Sequence, residues 1–70
     1  MTERMYESFR SNENGQGGIR YVVQGKAVCE ISDLSDNMER LENLAKLYNE
    51  NHLLRENFFE LTQKLVGVLI

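Results

Sequence analysis

His52 and Cys29 are the residues whose side chains most readily supply a general base and a nucleophilic thiol. Such a pair becomes a catalyst only when base and nucleophile lie within hydrogen-bond reach and a third group orients the base. Here the two belong to different predicted elements, and no orienting residue is recognisable by spacing. The plain reading is therefore a surface histidine on a helix and a small hydrophobe in a hairpin, and no catalytic residues are expected. Glu39, Glu42, Glu56 and Glu60 fall at helical spacing without the Glu-x-x-His pairing of a di-metal site, so they read as a solvated helix face. Neither a metal nor a cofactor is expected. The stretch Ser11-Asn12-Glu13-Asn14-Gly15-Gln16-Gly17-Gly18 has the glycines of a phosphate-cradling loop. No Lys-Ser/Thr follows it and no helix start adjoins it, so a plain surface loop is predicted.

Seventy residues make one small domain, 1–70, in which 1–32 carries the strand signals and 33–70 the helical ones. A chain this short buries little apolar surface alone, and its single cysteine rules out an internal disulfide as a staple, so self-association is expected. The first ten residues carry charges and no apolar run, and the longest apolar stretch, Leu65 to Ile70, is too short to span a bilayer. A soluble protein of a host cell's cytoplasm, with no membrane partner, fits these features. Net charge is −3, and the imbalance falls in the helical half, where Asp33, Asp36, Glu39, Glu42, Glu50, Glu56 and Glu60 outnumber the bases. That charge repels a phosphate backbone, so no nucleic-acid partner is expected. A basic-zipper regulator is the least favoured alternative, because Arg40 is the lone base where such proteins place a basic helix.

Ile19-Arg20-Tyr21-Val22-Val23 and Ala27-Val28-Cys29-Glu30-Ile31 are β-branched and aromatic, and Gln24-Gly25-Lys26 lies between them. They predict a β-hairpin in which Val23 faces Lys26, Val22 faces Ala27 and Tyr21 faces Val28. Met5 to Phe9 nearly alternates and is a candidate third short strand. Ser32 to Asp36 offers overlapping N-caps for a helix, whose first turns bear the stripe Leu34, Met38, Leu41, Ala45 and Tyr48, suited to receiving the hairpin.

A second stripe follows: Leu44, Leu47, Asn51, Leu54, Phe58, Leu61, Leu65 and Val68 alternate by three and four. As heptads, Leu44, Asn51, Phe58 and Leu65 are a positions and Leu47, Leu54, Leu61 and Val68 are d positions. This is the pattern of a parallel leucine zipper with one register-fixing asparagine. Glu50 at g and Arg55 at e of a partner add an opposite-sign pair worth about 0.2 to 1 kcal/mol. No Gly or Pro interrupts residues 33–66, so one helix of about 55 Å is expected. The predicted fold is thus α+β: an N-terminal hairpin followed by one long C-terminal helix forming a coiled coil, as a homodimer or pair of dimers. A turn near residues 49–52, where Asn and His are poor helix formers, gives the alternative ββαα monomer.

Met1-Thr2-Glu3-Arg4, the hairpin, and Leu44-Ala45-Lys46-Leu47-Tyr48-Asn49-Glu50-Asn51 leading to Leu54-Arg55-Glu56-Asn57 together resemble a group of very small proteins encoded by phages, prophages and archaeal viruses. The resemblance spans most of the chain and brings no functional residues with it. The residues themselves predict a non-enzymatic, homo-oligomeric protein-binding module; the resemblance implies a host protein as its partner, with inhibition of a host defence system as one form, and a virion or assembly adaptor is the alternative.

Overall fold

A computed structural model describes residues 4–11 and 15–68. Expectations that fall on positions 1–3, 12–14 and 69–70 lie outside the described residues. Three strands, β1 (Arg4–Arg10), β2 (Gly17–Val23) and β3 (Lys26–Ser35), form an antiparallel sheet in the order β1-β2-β3, followed by α1 (Met38–Glu50) and α2 (Arg55–Leu65).

The β2–β3 turn uses the residues its chemistry demands. Gln24 and Gly25 have φ of 52° and 81°, the two positive values of a type I′ turn, whose twist matches that of the strands it joins. Val23 faces Lys26 and Val22 faces Ala27 as the sequence predicts, but a bulge then shifts the register so that Tyr21 faces Cys29 rather than Val28. Beyond Ile31 the strand runs on to Ser35, past Asp33 at φ 57°, so Ser32 to Asp36 does not start the helix. Asn37 is the N-cap instead, its side-chain oxygen accepting from the Arg40 N–H at 3.3 Å. The predicted loop is also shorter than expected, since Gly17 and Gly18 belong to β2. Gly18 is required there: a Cβ built on it would overlap the Ile31 carbonyl of the neighbouring strand.

One face of the sheet is buried. Tyr6, Ile19 and Tyr21 meet Leu41, Leu44, Ala45 and Tyr48 of α1, with Met38, Leu34 and Ile31 partly buried around them. The stripe from Met38 to Tyr48 therefore does receive the sheet, whereas Leu34, expected on the same helix, lies on β3. On the opposite face Arg20 donates to the Glu7 carboxylate at 2.7 Å and lies 5.4 Å from the centre of the Phe9 ring, a half-exposed cluster worth about 1 kcal/mol.

The single long helix and its coiled coil do not form. The largest dimension of the molecule is 35 Å, well short of a 55 Å rod. Helix α1 stops at Glu50 because the next residues build a Schellman cap: the His52 N–H donates to the Asn49 carbonyl at 3.2 Å and the Leu53 N–H to the Tyr48 carbonyl at 3.0 Å. His52, at φ 51°, takes the left-handed position that glycine more often fills. Asn51, expected at the centre of a zipper seam, is the exposed C-cap, and its side-chain N–H donates to the Leu47 carbonyl at 2.8 Å. The architecture is βββαα, close to the alternative with two helices but with a third strand.

Two residues of α2 pack against Tyr48 of α1. Phe58 is fully buried and packs edge-on to Tyr48, while Thr62, also fully buried, shares a 2.7 Å hydrogen bond with the Tyr48 hydroxyl. No helix among the described residues is long and apolar enough to cross a membrane.

Candidate functional site

The α1–α2 connection and the turn end of the β2–β3 hairpin enclose a cleft of about 950 Å³. Its floor is aromatic: Tyr6, from β1, has its ring centre 4.8 Å from Tyr21, 5.3 Å from Tyr48 and 5.0 Å from Phe58. Rings at these distances and tilts attract through their quadrupoles as well as by burial. Val23 and Val28 form the hairpin wall, and Leu53 and Leu54 the opposite one, with His52, Arg55 and Glu56 at the rim. Val28 is 42% exposed and Leu54 55%, so aliphatic surface from both the hairpin and the helix connection is open to solvent at the cleft.

The polar groups of the floor are already committed. The Tyr6 hydroxyl donates to the Leu53 carbonyl at 2.8 Å, which ties the helix connection down onto the sheet. The Asn49 carboxamide is held by the Tyr6 backbone, accepting from its N–H at 2.7 Å and donating to its carbonyl at 2.9 Å. Burial pushes the Tyr6 phenol up to about 12, with further upward pressure from Tyr21, Cys29 and Tyr48. Burial also raises Tyr48, against the opposing effect of its hydrogen bond with Thr62.

The residues expected to form an oligomeric seam are dispersed by the break between helices. Leu44 and Phe58 are buried in the protein's own core, and Leu61 and Leu65 pack partly buried against it. Leu47, Leu54 and Val68 are exposed on three different segments, and Asn51 caps α1. Of the residues considered for chemistry, His52 reaches the cleft rim, whereas Cys29 lies half-buried on β3 opposite Tyr21. Glu39 and Glu42 stand on α1, Glu56 and Glu60 on α2, and Glu60 meets Lys64 at 3.5 Å. Among the described residues, no three His, Cys, Asp or Glu side chains gather as a metal site would require.

Sequence reasoning missed the tyrosine floor. Tyr6, Tyr21 and Tyr48 come from three elements, and no local spacing announces that they converge. Comparisons of the chain with protein-family models, with curated proteins and with solved structures each return no match.

Proposed function

We propose that the protein is a non-enzymatic protein-binding module whose cleft seats a short apolar segment of a partner protein. The observation that carries this reading is the pair of exposed aliphatic side chains, Val28 and Leu54, that line the cleft from the hairpin and from the helix connection. A concave site lined by aliphatic and aromatic groups gains affinity by removing apolar surface from water, at about 25 cal/mol per Å². The hydroxyl and amide groups of Tyr6, Tyr48 and Asn49 are engaged in holding the fold and the tyrosine rings are buried, so the apolar surface the cleft offers comes from Val28 and Leu54, with His52, Arg55 and Glu56 lining it as well. The resemblance to small viral proteins supports a host protein as the partner, and blocking a component of host defence is one form this binding takes.

Selection from a displayed library of random peptides tests the reading. Enrichment of sequences with apolar anchors, whose binding is lost on Leu54→Asp and on Val28→Asp while the circular dichroism is unchanged, is expected. No enriched motif, or peptides that bind both variants as well as the parent, would refute it.

A further inference from the structure

We infer that the exposed face of α1 pairs two copies of this chain in antiparallel fashion, with Leu47 of each copy seated in a hole on the other. This surface is separate from the cleft, and the inference does not depend on the peptide-binding reading.

The hole is visible in the single chain. Arg40, Asn43, Leu44 and Leu47 surround a depression of about 230 Å³. Their positions, i, i+3, i+4 and i+7 on one helix, are those of the four residues that receive a side-chain knob when helices pack. Leu47, 43% exposed on the same face, is the knob. Leu41, Leu44, Ala45 and Tyr48 are buried against the sheet, so of the four residues around the depression Arg40, Asn43 and Leu47 are the exposed ones.

Charge selects the occupant and its direction. Arg40 lies one turn before the centre of the hole, and Glu50 lies about one turn after Leu47. When helices run antiparallel and the partner's Leu47 enters the hole, Arg40 therefore faces the partner's Glu50. The twofold axis repeats that pair at the other end. Both side chains are exposed, and neither is in an ion pair among the described residues. A parallel pairing would instead set Arg40 against Arg40 and Glu50 against Glu50. The Arg40 and Glu50 positions thus agree with a register that the shape of the hole fixes independently. Lys46 flanks the axis on both copies, where its stem can lie along Leu47 with the ammonium in water. The contact is one short helix face on each side, at the small end of interface sizes, so the association is weak and reversible.

Sedimentation equilibrium of the full chain, from micromolar to millimolar protein, reads this directly. The mass is expected to rise with concentration from 8.2 kDa toward a dimer. Arg40→Glu alone and Glu50→Arg alone should each weaken the dimer by about tenfold or more, because each places like charges opposite twice. Leu47→Asp should abolish it. The combined variant Arg40→Glu/Glu50→Arg should restore it, which also shows that these exposed changes leave the fold intact. A chain that stays monomeric throughout overturns the inference. So does a dimer insensitive to the single changes, or a combined variant that fails to recover.

Discussion

The Asn49 side-chain amide stands where a fourth strand would, exchanging hydrogen bonds of 2.7 and 2.9 Å with the N–H and carbonyl of Tyr6. Tyr6 faces Tyr21 across β1 and β2, so its outward N–H and carbonyl belong to the sheet edge, where unpaired groups invite association with another chain. A helix residue closes this edge, while the other edge, β3, is broken up by its bulge and by the positive φ of Asp33. Removing the amide by Asn49→Ala leaves two backbone groups without these partners in a partly buried corner, at about 1 to 3 kcal/mol. Urea unfolding should show that loss, and the Tyr6 amide should exchange with solvent markedly faster. An unchanged midpoint would mean that water replaces the amide without penalty.

Where the sequence was legible, it was legible through local chemistry. Gln24-Gly25 marked the turn, and the register held for the two pairs nearest to it. It failed at Ala27-Val28-Cys29 because nothing in three small apolar residues signals a bulge. The helix break was harder to see. A stripe spaced by three and four runs unbroken through Asn49 to Leu54, yet each side of the break buries its own portion, Leu44 on α1 and Phe58 on α2. The periodicity reflects two short amphipathic helices whose phases agree. What separates them is a cap with histidine in the left-handed position, where glycine would have announced the stop. The cleft was illegible for a different reason: Tyr6 reaches Tyr48 and Leu53 from more than forty residues away, a relation that only the tertiary fold creates.

Tyr48 and Thr62 join the two helices through one buried hydrogen bond of 2.7 Å. Thr62→Val keeps the shape but leaves the Tyr48 hydroxyl unsatisfied, and Tyr48→Phe does the same to Thr62, each at about 1 to 3 kcal/mol. With both hydroxyls removed, neither is stranded, so the double variant should be clearly more stable than the sum of the single losses implies. A double-mutant cycle by chemical unfolding measures that coupling. Strict additivity would show that the two hydroxyls act independently.

Tyr6 should make stability fall at high pH. Its hydroxyl donates to the Leu53 carbonyl and therefore needs its proton, and burial pushes its pKa from 10.0 to about 12. Below pH 10 the folded and unfolded chains both keep that proton, so the contribution is fully present. Between pH 10 and about 12 the unfolded chain loses it while the folded chain retains it, and stability declines across that window as the folded pKa is passed. Tyr6→Phe lacks the hydroxyl, so it should be less stable than the parent at neutral pH and should escape this part of the alkaline loss. The two proteins differ in no other ionisable group, which makes the difference between them specific to residue 6. Urea midpoints measured for the pair should converge as pH rises through the window; a gap that stays constant would show that the Tyr6 phenol is not held protonated by the fold.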